Sequence, residues 1–352
     1  MAETRKGMIQ TVTGLLQPDK LGVTLTHEHL WIDSGGFYVE PDAKNKAKTT
    51  MSFSLPNYGW ITHNPYSHKP NLNYGPDEKG DLAEEMMFFK NNGGSSIVEN
   101  TTIGLHPNIE FLKELSERTG INIVAGAGYY VATFQTESTK ALTCEAMADC
   151  IRHDILEGVG KTGIKCGVIG EVGCAWPLEE FERRSIQASA VVQSELDTPV
   201  IVHPGRNPDA PFEILRIFQE AGGKLHNVVM SHLDRTFLDK ERLLEFAAEG
   251  VYCEYDLFGI ETSHYQPYPP LDMPSDAQRI QMIKTLVENG YEDRICIAQD
   301  IHTKHRLTKY GGHGFSHALV NIVPKMLSRG ISQEAVNKIL IDNPKRWLTY
   351  LR

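Results

Sequence analysis

No CxxC pair occurs among the six cysteines, which stand at 144, 150, 166, 174, 253 and 296. Disulfide frameworks belong mostly to far shorter secreted chains. The thiols therefore read as reduced, in a cytoplasmic protein, with Cys166, Cys253 and Cys296 as small core residues. No apolar run approaches the ~18 residues of a membrane span. The opening MAETRKGMIQTVTG lacks the apolar core of a secretory signal. No basic block is present and the net charge is −10, which argues against nucleic acid and membrane as partners. What remains is ordinary globular material: 352 residues, 41% hydrophobic and 23% charged.

From about residue 20 the chain repeats a pattern. Eight short β-rich runs end in polar residues: Val23–His29, Ser96–Thr101, Ile121–Tyr129, Cys166–Val172, Pro199–His203, Val228–His232, Val251–Tyr255 and Ile295–Asp300. Amphipathic segments follow them, such as Asn108–Arg118, Leu178–Leu196 and Ala277–Glu288, often closed by glycine. Strand–helix alternation implies parallel pairing, and eight units close a (β/α)8 TIM barrel. An open doubly wound sheet would want a Gly-rich turn after the first strand, and here that strand ends THEH. The expected organisation is one α/β barrel domain over residues 1–352. The long segment 31–80 is expected to cap the barrel mouth. The stretch Ser332–Leu351 reads as helix interrupted at Asn343–Pro344.

Catalysis in such a barrel belongs to the C-terminal strand ends. Those ends carry His27, His29, Glu171, His203, His232 and Asp300. His27 and His29 share a face because strand side chains repeat every two residues. Six ligands exceed one tetrahedral zinc and suit two divalent ions. His27, His29 and Asp300 would hold the buried ion, His203 and His232 the more exposed one, with Glu171 reaching both. A bridging hydroxide would attack, and Asp300 would take its proton as general acid/base. Arg235, Arg206 and Tyr129 are the candidate substrate contacts, the arginines as clamps for an anionic head group. Asp234 is a candidate to orient a ligating histidine, and Glu99 and Asn100 to support the ligands. His302 is the one member of the cluster His302, His305, His313 and His317 expected near substrate.

The stretches LTHEHL, NNGGSSIVENTTIG, GVIGEVGCAWPL, VIVHPGR, VMSHLDRT, EYDLFG and IAQDIHTK…YGGHGFSH stand in order along nearly the whole chain. In this the sequence resembles the phosphotriesterase branch of the metal-dependent amidohydrolase superfamily. The resemblance implies a (β/α)8 barrel with a binuclear centre, usually of Zn2+. Many members bridge the metals with a carboxylated lysine on strand four, where this chain has Glu171. Lys165, six residues earlier, would lie about 20 Å down the strand and cannot substitute. The animal members it resembles imply amide hydrolysis of small anionic N-acyl substrates, N-acetyltaurine foremost, giving acetate and taurine. Lactone or phosphotriester hydrolysis, or a catalytically silent binding barrel, are the alternatives. A homo-oligomer stays open.

Overall fold

Each apolar run becomes a strand, though shorter than its sequence pattern. The structure is a computed structural model that describes residues 5–262 and 264–351. The strands are β1 (Thr24–Glu28), β2 (Ser96–Glu99), β3 (Asn122–Ala127), β4 (Val168–Gly173), β5 (Val200–His203), β6 (Val228–Met230), β7 (Tyr252–Tyr255) and β8 (Ile295–Ile297). They pair in parallel with their chain neighbours, from β1 through to β8. The β8–β1 seam is closed by fewer bonds. Asp300 N donates to His27 O at 3.1 Å. The Glu28 carboxylate accepts from Gln299 N at 2.8 Å and Ile301 N at 3.0 Å. The barrel is therefore stapled by a side chain at the active end.

Alternation along the strands sorts two cores. Val98, Val124, Val168, Ile201, Val229 and Cys296 turn inward and pack with Ile9, Leu21 and Trp347. Ile97, Ile123, Ile169, Val200, Val228, Cys253 and Ile297 join the outer cluster that also contains the helices' apolar faces. Those helices are α1 (Lys79–Asn91), α2 (Ile109–Thr119), α3 (Cys144–Leu156), α4 (Glu180–Leu196), α5 (Ala210–Glu220), α6 (Lys240–Ala247) and α7 (Asp276–Glu288). Helix α2 shows why they start and stop where they do. The Asn108 side chain accepts from Phe111 N, and Gly120 ends the helix at φ 72°. At the β3–β4 contact a glycine is required, since a Cβ on Gly126 would sit 1.7 Å from Gly170 O.

Residues 31–80 do cover the mouth. Ile32–Asp33 pairs antiparallel with Asn73–Tyr74, and a helix at Leu55–His63 rides above. At the C-terminus Asn343–Pro344 does not interrupt the helix as expected. The helical run is continuous through a π-helical turn at Lys338–Asp342 into Asn343–Leu348, and that wider turn directly precedes Pro344, which cannot donate a backbone hydrogen bond. Among the described residues no helix is long and apolar enough to cross a membrane.

Candidate metal centre and substrate cavity

Five strand ends deliver six side chains to one buried point. His27 lies in β1 with His29 just beyond it, Glu171 lies in β4, and His203 ends β5. His232 follows β6 and Asp300 follows β8, both in left-handed backbone at φ 56° and 47°. That conformation is costly for residues other than glycine and is held by local bonds. Asp256 accepts from His232 N at 3.1 Å, and His27 O accepts from Asp300 N.

Glu171 stands at the centre. Its Oε2 lies 2.9 Å from His203 Nδ1, 3.5 Å from His27 Nε2 and 3.7 Å from His232 Nε2. Its Oε1 lies 3.5 Å from His29 Nε2. Asp300 Oδ1 lies 3.2 Å from His29 Nε2 and 3.9 Å from His27 Nε2. Two overlapping groups result, one of His27, His29 and Asp300 and one of His27, Glu171 and His232, with His27 common to both.

The donor set fits cations. His27 Nε2 is buried and has no hydrogen-bond partner among the described residues. The other ring nitrogen, Nδ1, faces Ser231 Oγ at 3.0 Å, Asp256 Oδ2 at 3.2 Å and Glu254 Oε2 at 3.4 Å. Acceptors there hold a proton on Nδ1, so Nε2 is the atom turned to Glu171 and Asp300, where a cation could take the place of a proton. His203 Nδ1 and His232 Nε2 likewise stand 2.9 Å apart. These ring nitrogens converge with the carboxylates of Glu171 and Asp300, and mixed imidazole and carboxylate donors suit a divalent cation. The ligand atoms of His27, His29 and Asp300 lie within 4.8 Å of one another, as do those of His27, Glu171 and His232.

Charge complementarity dominates the titration of these groups. Burial would lower both β1 histidines, yet Glu171 lifts His27 well above its usual value, and Asp300 and Glu171 lift His29 to about 9. Burial would raise the carboxyls, yet His27 and His203 hold Glu171 well below the carboxylate range, and His302 and His29 do the same to Asp300. His203 differs: burial carries it down to about 3 despite Glu171. A neutral His203 is a ready ligand.

Supporting residues aim the imidazoles, as is usual around metals. Asp256 Oδ1 takes His232 Nδ1 at 2.8 Å. Thr101 Oγ1 faces His29 Nδ1 at 2.8 Å and donates to Glu99 at 2.6 Å, so Glu99 reaches His29 through Thr101. Asn100 acts on the backbone, donating to Thr26 O. Asp234 does not orient a histidine as expected. It pairs with Arg279 at 2.9 Å and accepts from Leu257 N. Asp256 has that role because it shares a strand face with Glu254 beneath His27. The EYD run carries the same two-residue spacing as HEH, and that signal would have found both carboxylates.

Above the centre lies a cavity lined by Phe37, Tyr66, Tyr130, Arg206, Arg235, Tyr265 and His302, together with five of the six, all but His27. Its free volume is about 30 Å³, comparable with the space of one water. Arg235 is buried, donates to Pro204 O at 2.9 Å and lies 3.3 Å from His203 Nε2, and its Nη1 has no partner among the described residues. Arg206 donates to the Tyr265 hydroxyl at 2.9 Å. Burial and the neighbouring Arg206 push Arg235 below its usual value. Tyr129 is not in the cavity. Gly128, at φ 117°, breaks the alternation after β3, so Tyr129 packs on Phe181 and Tyr130 faces His203 instead. Tyr66, from the long loop, meets His302 Nε2 at 2.9 Å. No strand pattern marks Tyr66 or Tyr265. Lys165 lines a separate cleft with Arg5 and Gln10 and is remote from the centre.

The chain matches the phosphotriesterase family over residues 7–348. It belongs to that family. An N-acetyltaurine hydrolase of Mus musculus is 53% identical over 344 residues, 98% of each chain. One of Homo sapiens is 52% identical over the same length and coverage. The crystal structure of a resiniferatoxin-binding protein from Rhodobacter sphaeroides superposes with a TM-score of 0.93 at 29% identity, covering 97% of this chain and 95% of that one.

Proposed function

We propose that the chain is a metal-dependent amidase that cleaves N-acetyltaurine to taurine and acetate. The observation that carries the reaction class is the convergence of His27, His29, Glu171, His203, His232 and Asp300 within metal-ligand reach. The substrate follows from two features. Relatives at 52–53% identity carry that name. Two guanidiniums, Arg206 and Arg235, line the cavity, and their hydrogen bonds go to neutral oxygens and a ring nitrogen. Such unneutralised charge suits a sulfonate or carboxylate head group.

Two divalent ions, Zn2+ by family habit, would be held by His27, His29 and Asp300 on one side and His203 and His232 on the other, with Glu171 common. When bound they supply Lewis acidity toward the amide carbonyl and make water nucleophilic at neutral pH. The protein's own groups do the rest. Arg235 and Arg206 hold the anion so that the amide carbon faces the centre. Asp300 takes the proton of the attacking water and passes it to the nitrogen as the C–N bond breaks. Water thus adds to the acyl carbon and the amine leaves with the proton. His302 Nδ1, 3.2 Å from Asp300 Oδ1, keeps that carboxylate oriented. The narrow cavity favours a short acyl group such as acetyl. All six cysteines are free thiols, in keeping with a cytoplasmic enzyme.

Metal analysis paired with acetate release from N-acetyltaurine tests the proposal, on wild type and Glu171→Ala. About two ions per chain with turnover, both lost in the variant, is the expected result. Metal without turnover would overturn the substrate and direct the assay to lactones and phosphotriesters. A metal-free, inactive wild type would overturn the reaction class.

A further inference from the structure

Asp300 holds its carboxylate at the centre from a left-handed backbone, at φ 47°. A non-glycine residue keeps that conformation only where its surroundings enforce it. The chain around Asp300 is gripped on two sides. On the N–H side, the two oxygens of Glu28 accept from Gln299 N at 2.8 Å and Ile301 N at 3.0 Å, and His27 O accepts from Asp300 N at 3.1 Å. On the carbonyl side stands Arg306. Its Nη1 donates to Asp300 O and its Nη2 to Gln299 O.

The same Nη2 donates to Phe258 O at 3.0 Å. Phe258 follows β7, two residues beyond Asp256, whose Oδ1 takes His232 Nδ1 at 2.8 Å. Strands β7 and β8 are paired neighbours. One guanidinium therefore ties the strand end that bears Asp300 to the strand end that bears Asp256, and so links two members of the ligand set through backbone.

Arg306 is 4% exposed, and its side-chain hydrogen bonds among the described residues go only to main-chain carbonyls. Burying a cation with no hydrogen-bonded carboxylate is costly. What a guanidinium supplies in return is a rigid planar fork, which the single nitrogen of a lysine does not reproduce. Arg306 does not line the catalytic cavity, so its action on the centre runs through the backbone it holds.

We infer that Arg306 is a positioning residue of the metal centre. Its fork fixes the backbone of Asp300 and the end of β7, so that the Asp300 carboxylate and the His232 imidazole keep their places in the ligand set. The inference rests on the metal-dependent reading above.

The test is the Zn2+ affinity of the full chain, measured by competition with a chelator of known affinity, on wild type, Arg306→Lys and Arg306→Met. Lysine keeps the charge and loses the fork. Affinities are taken well below the unfolding midpoint of each metal-free variant, so a loss of stability alone does not move them. The expected result is affinity weakened about 10-fold in Arg306→Lys and about 100-fold in Arg306→Met. At saturating Zn2+, kcat on N-acetyltaurine should fall about 10-fold in Arg306→Lys with KM within about two-fold of wild type, because both anion clamps are untouched. Should Arg306→Met fail to fold, Arg306→Lys decides alone. Wild-type affinity and kcat in folded Arg306→Lys would overturn the inference and leave Arg306 as a support of the fold. Weakened affinity in that variant, with no cleavage of N-acetyltaurine by wild type, would overturn the substrate and uphold the inference. A wild type that binds no Zn2+ would overturn both.

Discussion

Asp256 grips His232 twice, at the ring Nδ1 at 2.8 Å and at the backbone N–H at 3.1 Å. The second bond holds the left-handed backbone that turns His232 toward Glu171, and the first sets its tautomer so that Nε2 faces inward. Removing the negative charge while keeping the shape should loosen both. Asp256→Asn is expected to weaken metal affinity about 10–100-fold, the usual cost of losing such a partner. Competition with a chelator of known affinity measures it, and wild-type retention in the variant would sink the idea.

Arg235 should act through substrate charge. Arg235→Met is expected to raise KM for N-acetyltaurine about 10–100-fold, the loss of a charge-assisted contact. KM for a neutral acetamide of similar size should change little. Equal responses would mean that Arg235 serves only to position His203, 3.3 Å away.

The two adjacent tyrosines separate cavity from core. Tyr130→Phe removes a hydroxyl 3.4 Å from His203 Nδ1 and should lower kcat/KM about 2–10-fold. Tyr129→Phe, against Phe181 behind the barrel, should leave kcat/KM unchanged. The reverse order in steady-state assays would place the wrong residue in the cavity.

Asp276 makes stability depend on acid. Burial raises its carboxyl, but the bond from His317 at 2.9 Å, Gly259 N and Arg279 more than offset this and hold it down to about 2. A carboxyl with a lowered folded pKa stabilises fully above its unfolded value and loses that contribution as pH falls through the folded one. On the order of 2 kcal/mol should therefore fade between about pH 4 and pH 2. Denaturant titrations across that window should slope less steeply in Asp276→Asn than in wild type.

Much of the centre is legible in the sequence, because a barrel makes strand ends functionally equivalent. Periodicity alone put His27 and His29 on one face, and the same two-residue spacing in EYD marks Glu254 and Asp256, which hold His27 and His232. Strand alternation is a local rule of backbone geometry, so it can be read residue by residue. It fails where the backbone departs from extended form. Gly128 shifts the phase and exchanges Tyr129 for Tyr130. Asp234 pairs with Arg279, forty-five residues away on α7, a contact set by helix packing rather than spacing. Tyr66 and Tyr265 reach the cavity from loops whose paths depend on what they rest upon. The sequence by itself determined the order of strands and the six ligand-type side chains at their ends. Only the tertiary structure decided which carboxylate steadies which histidine, which tyrosine lines the cavity and how tightly the mouth is covered. Those choices rest on long-range packing, in which residues distant in the chain compete for the same few ångströms.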